Sequence, residues 1–402
     1  MRCVIVLMLG CGTALFGQTA PPDALRALLI GARGHAGEHL DTRGATPGLT
    51  QVKHSLLGWI ESRLTLLIQR NEEAALAFQL NAELRKSGLS CNDLPESNEV
   101  QCPEQTLIGY LGEINLRRSG EFLVVQTAVG IDCGNDESAY IYEWKDDRWQ
   151  RIWESEQNDY TKEKYLPQHL QAVLISPTDY RPDGDKSKHL VVTLGNYPWC
   201  SSNWQTVYYR IWRTTNSGGN PQLMLDENEV AFISEPVQAS VWPRDVLIEY
   251  AVASADMGVH NRRQIRHYVL EHDSLKRTDP LVLSPRDFVD YWLTSPLNEI
   301  LERTPANLRL AMQNWHRKFN GPFEFIGSTR HCTEKQDLWQ VGIQNPDTER
   351  PLGYFQIRWR PPYHFSIVGL SERPWPSCAE EDRQADEFRT LFPDRDWHDF
   401  DQ

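Results

Sequence analysis

Apolar positions along this chain fall into short strand-like runs, and the clearest of them returns. Leu123-Val124-Val125 recurs as Leu190-Val191-Val192, an ungapped offset of 67 residues that also carries Leu107-Ile108 to Leu174-Ile175, Cys133 to Cys200 and Tyr142 to Tyr209. A looser third copy has Val246-Leu247-Ile248 as its central strand and Ile265 to Val269 as the next. A period this long, carrying strand-type residues, predicts stacked sheet units that share a core. In the first copy the pattern predicts strands at Leu107–Leu116, Phe122–Val129, Ala139–Trp144 and Trp149–Trp153, with Lys145-Asp146-Asp147-Arg148 as a polar turn. The second copy reads Ala172–Ile175, His189–Leu194, Thr206–Trp212 and Leu223–Leu225.

Helical spacing dominates before and after these strands. Asp23–Ala32 predicts a short helix. Thr50 caps a long one in which Val52, Leu56, Ile60, Leu64 and Leu67 recur at three- and four-residue steps. It is predicted to continue through Leu84 and to stop at Gly88, giving an antiparallel helical pair. Near the end, Pro285–Leu293 and Leu297–Phe319 read as helices. Strands follow at Phe323–Ile326, Leu338–Ile343, Tyr354–Trp359 and His364–Gly369, then a helix at Glu380–Phe392.

The predicted fold is therefore α+β and multidomain. A leader over 1–20 precedes an N-terminal helical region at 21–104, a β repeat module at 105–295 and a small α+β module at 296–402. Four antiparallel strands per unit, repeated radially, describe a propeller blade. Three units are few for a closed ring, so either further strands complete it or the units form an open or sandwich-like stack.

One loop carries a family resemblance. Asp179-Tyr180-Arg181-Pro182-Asp183-Gly184-Asp185 precedes the strand Leu190-Val191-Val192. It resembles the D-x-[DN]-x-[DN]-G loop of FG-GAP or VCBS repeats in integrin-like propellers. The resemblance implies blades in the central region and calcium on Asp179, Asp183 and Asp185, since a hard cation gathers several oxygens around a tight glycine turn. Arg181 stands at a ligand position and His189 where the closing Asp is expected. The equivalent first-copy loop, Leu116 to Gly120, has no carboxylate.

Charge and cysteines narrow the setting. A net charge of -14 argues against a duplex nucleic-acid binder and an anionic membrane surface. Arg2, the apolar stretch Cys3–Phe16 and the small polar exit at Gly17–Pro22 read as a secretory signal peptide, with no later stretch apolar enough to span a membrane. Leu9-Gly10-Cys11 resembles a bacterial lipobox, which would place a lipid anchor on Cys11; Met8 stands where that motif wants leucine. Export leaves Cys91, Cys102, Cys133, Cys200, Cys332 and Cys378, an even set that reads as disulfides. Position suggests Cys91–Cys102, Cys133–Cys200 and Cys332–Cys378. No Asn-x-Ser/Thr acceptor occurs, which favours bacterial export, periplasmic or extracellular.

Candidate chemistry is sparse. His35-Ala36-Gly37-Glu38-His39 spells the H-x-x-E-H of inverzincin peptidases, two zinc ligands and a glutamate base on one helical face. Gly31, Gly34 and Gly37 disfavour a helix there, each by about 1 kcal/mol, and a histidine-containing loop is the alternative. The acidic loop Asp132 to Glu137 offers oxygens for a cation or is a solvated hairpin end. His260, His267 and His272 cluster in the third copy without converging on one strand face. Trp199 and Trp204 flank Cys200 in a loop suited to binding a sugar or peptide; Tyr140, Tyr142, Trp144 and Tyr209 read as core. No nucleophile elbow, phosphate loop or dinucleotide fingerprint occurs, and no cofactor is implied beyond the calcium. The sequence thus points to a non-catalytic binding or scaffold protein for a protein or glycan ligand, with a secreted hydrolase, metal-dependent or carboxylate-based, as the alternative.

Overall fold

The computed structural model describes residues 22–34, 42–65, 67, 72–90, 92–93, 100–101, 111–131, 134–156, 168–181, 184, 188–196, 203–215, 220–232, 237–256, 261–278, 282, 284–302, 304–319, 321–333, 335, 337–360 and 364–381. The fold is mixed α+β, and its paired strands are mostly antiparallel. The chain divides into two compact units, 1–169 and 170–402.

The first unit opens with α1 (Pro22–Gly34), α2 (Thr42–Leu64) and α3 (Glu73–Lys86), then a two-stranded ribbon of β1 (Asn92–Asp93) and β2 (Val100–Gln101). A four-stranded meander follows: β3 (Asn115–Ser119), β4 (Phe122–Ile131), β5 (Gly134–Lys145) and β6 (Arg148–Ser155). Alternation decides its faces: Leu123, Val125, Tyr140 and Tyr142 meet Leu25, Val52, Leu56, Ile60, Leu80 and Leu84 in one core. Lys53 of α2 and Asp136 of β5 form a buried ion pair at 2.8 Å. Asn81 of α3 exchanges two 2.8 Å hydrogen bonds with the backbone of Ile114.

The helices differ from the predicted pair. The predicted 50–84 helix is two helices, and it begins at Thr42 rather than at a Thr50 cap. Near the break, the Ser62 and Thr65 hydroxyls donate to the carbonyls three residues back, the local competition that ends helices. Nothing in the sequence through Gly44 and Pro47 favours the early start. Gly88 does terminate α3: at φ 63° it places the Leu89 and Gly88 amides on the Leu84 and Arg85 carbonyls, a Schellman ending. The strand predicted from Leu107 appears as β3, beginning at Asn115, with Leu111 bridged singly to Val129; 107–110 lie outside the described residues. At the Lys145–Arg148 turn, Asp146 and Asp147 both adopt positive φ, as a tight two-residue hairpin requires.

The second unit holds two further meanders. One is β7 (His169–Ile175), β8 (Lys188–Asn196), β9 (Trp204–Thr215) and β10 (Gln222–Phe232); the other is β11 (Gln238–Val241), β12 (Asp245–Ala253), β13 (Asn261–Glu271) and β14 (Ser274–Thr278). Their inner faces share a core of Val192, Leu194, Val207 and Ile211 with Val246, Ile248 and Val252. The 67-residue offset keeps the facing of β4 and β8, since Leu123 and Leu190 both point into a core. It does not keep the pairing: Leu123 lies opposite Tyr142, whereas Leu190 lies opposite Arg213, and Tyr209 lies opposite Leu194. The two hairpins turn at different lengths, and antiparallel register follows the turn.

The chain ends in α4 (Pro285–Thr294), α5 (Leu297–Glu302), a 3-10 turn (Ala306–Leu308) and α6 (Arg309–Lys318) against a six-stranded sheet. That sheet comprises β15 (Glu324–Phe325), β16 (Arg330–His331), β17 (Leu338–Gln344), β18 (Pro351–Arg360), β19 (His364–Ser371) and β20 (Glu380–Glu381). Ser284 caps α4 by accepting from the Asp287 amide at 3.0 Å, with Pro285 at the first helical position. The helix predicted over Leu297–Phe319 is broken, because Pro305 supplies no amide and forces its predecessor out of helical geometry. Glu380 and Glu381, predicted to start a helix, instead pair with β16; 382–402 lie outside the described residues. Cys332 and Cys378 are disulfide-bonded. Among the described residues no helix is long and apolar enough to cross a membrane.

Candidate functional site

On β8, Lys188, Leu190, Val192 and Leu194 share one face by strand period, and across β9 they meet the row that ends in Arg213. The middle of that row is apolar and closes against the β11–β14 sheet. At its end the apolar residues run out, and Lys188 and Arg213 take their place. From the opposite sheet, Leu270 pairs with Leu275 and the chain reverses through His272 and Asp273. The β11–β12 turn, closed by the Trp242 amide on the Asp245 carbonyl at 2.8 Å, offers the Arg244 carbonyl to the Leu270 amide at 2.7 Å. Between these ends lies a cleft of about 540 Å³ with Leu190 and Leu270 as apolar floor. Its walls are Lys188, Arg213, Arg244, Asp179, Glu271 and the two histidines, His189 and His272.

Charge in the cleft is unevenly used. The buried Asp179 carboxylate accepts from Arg181 Nε and Nη2, both at 2.9 Å, and lies 3.4 Å from Arg244 Nε. The Arg181 hydrogen bonds, outweighing burial, hold its pKa below the ordinary aspartate value. Gly184 makes this packing feasible, because a Cβ there would overlap the Asp179 carboxylate and carbonyl. Arg213 is spent differently. Its side chain is only 14% exposed, yet Nη1 pairs with Asp273, whose side chain is 82% exposed. The Nε of Arg213 is buried and meets no hydrogen-bond partner among the described residues. The pairing residue sits beside His272, whose φ of 57° suits the two-residue hairpin turn between β13 and β14.

A second polar cluster lies between the same two sheets. Tyr209 and Tyr268 hydroxyls are 3.1 Å apart, and Tyr268 donates to Glu227 at 2.8 Å. Arg266 forks onto Glu229 Oε1 through Nε and Nη2, at 3.1 and 2.7 Å. Burial, reinforced by the glutamates, pushes the Tyr209, Tyr250 and Tyr268 hydroxyls well above the usual tyrosine range.

The residues singled out in the sequence are distributed as follows. Asp179 lines the cleft with its oxygens taken by guanidinium groups, while Asp183 and Asp185 lie outside the described residues. Among the described residues no three His, Cys, Asp or Glu side chains gather to hold a metal. In the acidic loop, Asp136 pairs with Lys53, and Glu137 lies 2.8 Å from His169 Nδ1. Trp204 begins β9 and packs on Phe232 with ring centroids 5.0 Å apart. Tyr140, Tyr142 and Tyr209 are buried, whereas Trp144, read as core, is 36% exposed and meets Trp149 edge-on. His267 is engaged by Thr278 Oγ1 at 2.7 Å and lies apart from His272 in the turn. His35, Glu38, His39, Trp199, His260, Cys11, Cys91, Cys102, Cys133 and Cys200 lie outside the described residues.

Sequence reading passed over Lys188, Arg213 and Arg244. The signal available was parity: Lys188 and Arg213 fall on the inward phase of strands whose other inward residues are apolar. The chain matches no protein-family model and no curated protein.

Proposed function

We propose that this chain is an exported, non-catalytic binding protein whose ligand enters the cleft at the open end of the core between the β7–β10 and β11–β14 sheets. The observation that carries the reading is the cleft itself: about 540 Å³, apolar at its floor and ringed by charged side chains contributed from five separate segments. Rigid sheets with polar residues at strand ends and turns are a common way to present a binding surface. The two meanders are taken as blades of a degenerate integrin-type propeller, supported by their four-strand connectivity and the loop before β8. Export is supported by the leader-like N-terminus and by the Cys332–Cys378 bridge, which persists in oxidising compartments.

The test is a thermal-shift panel on purified chain with inorganic phosphate, sulfate, galacturonate, glucose and spermidine, run beside a His272→Trp variant that fills the cleft mouth. Saturable stabilisation by one or more probes, lost in His272→Trp, is the expected result. Stabilisation that His272→Trp leaves intact would place binding elsewhere. Hydrolysis of chromogenic ester or glycoside substrates abolished by Glu271→Gln would make the cleft an active site and overturn the reading.

A further inference from the structure

Resting on that reading, we infer that the cleft takes an oxyanion, a carboxylate, phosphate or sulfate group of a small acidic ligand, and that Asp273 occupies its place on Arg213 until the ligand arrives. Three observations converge. The chain as a whole is acidic, with a net charge of -14, yet this cleft brings Lys188, Arg213 and Arg244 to one opening. Arg244 is committed to the buried Asp179. Arg213 is not committed in the same way: its one carboxylate partner stands almost wholly in water on a two-residue turn, and its buried Nε has no acceptor among the described residues. A guanidinium presents five donors in a fork that suits oxyanions, so a largely buried arginine using so few of them is poised for a second acceptor.

Asp273 resembles such a ligand in chemistry and position. Its carboxylate reaches from the β13–β14 turn to Arg213 near the end of β9, a sequence separation of 60 residues. An exposed ion pair of this kind contributes little stability, so a ligand that offers Arg213 two oxygens displaces it at small cost. The apolar floor of Leu190 and Leu270 then accommodates the carbon body behind the anionic group. Neutral sugars lack the charge to compete with Asp273, and cations meet Lys188 and Arg213 at the opening.

The experiment is a calorimetric titration of the full chain with inorganic phosphate, sulfate and galacturonate. The variants are Asp273→Ala, Asp273→Asn, which keeps the turn's shape, and Arg213→Met, which keeps the side chain's bulk. Removing the resident carboxylate should tighten binding of at least one probe about two- to fivefold in both Asp273 variants, the worth of an exposed ion pair. Arg213→Met should weaken it at least about tenfold, as loss of charge-assisted hydrogen bonds predicts. Which probe responds most separates a carboxylate ligand from a phosphate or sulfate one. Equal affinities in wild type, Asp273→Ala and Arg213→Met would overturn the inference, and loss of that same binding in His272→Trp would leave the cleft as the binding site. Absence of binding by all three anions in both wild type and Asp273→Ala would also overturn it. A neutral or cationic probe that still stabilises the chain would then keep the broader reading.

Discussion

The two polar clusters between the β7–β10 and β11–β14 sheets use the same chemistry, carboxylates against arginines, and end up in different conditions. In the inner cluster Arg266 forks onto Glu229, which is largely out of water, and Tyr268 bridges Tyr209 and Glu227, while Arg266 Nη1 and the Tyr250 hydroxyl meet no hydrogen-bond partner among the described residues. In the cleft Arg213 also leaves a nitrogen without an acceptor among the described residues, but its carboxylate partner, Asp273, is 82% exposed and makes a single contact. Position accounts for the contrast. Residues inside the sheet pair have neighbours on every side, so their charged groups are held by carboxylates that are themselves largely out of water. Residues at strand ends face an opening where a partner can come and go. The inner cluster packs the sheets together and the outer is the proposed binding cleft, built from residue types that a composition count would not separate.

That contrast can be broken first where it is predicted to be most costly. Arg266→Met strands Glu229 among three tyrosines and should lower unfolding stability by about 3 kcal/mol in urea titration, toward the low end for a buried pair because Glu229 keeps partial solvent access. A loss no larger than that of Arg213→Met would erase the distinction between the clusters.

A carboxyl in α4 gives the next effect. Burial pushes the Asp287 pKa up to about 7, against the opposing pull of Arg262. Because the folded state holds that proton more tightly than the unfolded chain, its contribution is fully present below the unfolded pKa near 4 and is lost as pH rises to about 7. Asp287→Asn should therefore match wild type at pH 4 and exceed it at pH 8 by about 2 kcal/mol, less than the full pKa change implies because Asp287 keeps some contact with solvent. Parallel stability curves from pH 4 to 8 would show that folding does not raise the pKa of this carboxyl.

Smaller changes sharpen the picture. Gly184→Ala should cost about 1–2 kcal/mol by driving a methyl group into Asp179, and it should also weaken any ligand of the cleft, since Asp179 holds Arg244. Tyr209→Phe removes a hydroxyl from the inner cluster and should cost about 1 kcal/mol while leaving probe affinity unchanged. Asp273→Ala should leave the melting temperature of the unliganded chain within error.

Much of the scaffold was legible from pattern. The apolar runs at Leu123–Val125, Leu190–Val192 and Val246–Ile248 lie in strands, Gly88 ends α3, and the polar residues after Trp144 make the predicted hairpin. What pattern could not carry was register. Tyr142 and Tyr209 are equivalent by offset and both buried, but they face different partners because the hairpins that hold them differ in length. Helix breaks were misjudged for a different reason: apolar spacing continues across Ser62–Thr65 and across Pro305, while backbone chemistry at those points does not allow the helix to continue. The cleft was invisible as a motif, since Asp179, Arg213, Arg244 and His272 come together only through sheet packing. The loop that drew attention for calcium contributes Asp179, held by arginines.

The most direct test is a calorimetric comparison of phosphate, sulfate and galacturonate binding to wild type and to Arg213→Met at identical pH and ionic strength. Saturable heat at a single site in wild type for at least one of the three anions, with the affinity at least about tenfold weaker in the variant, is the predicted result. Indistinguishable heats in the two proteins for all three anions would contradict it.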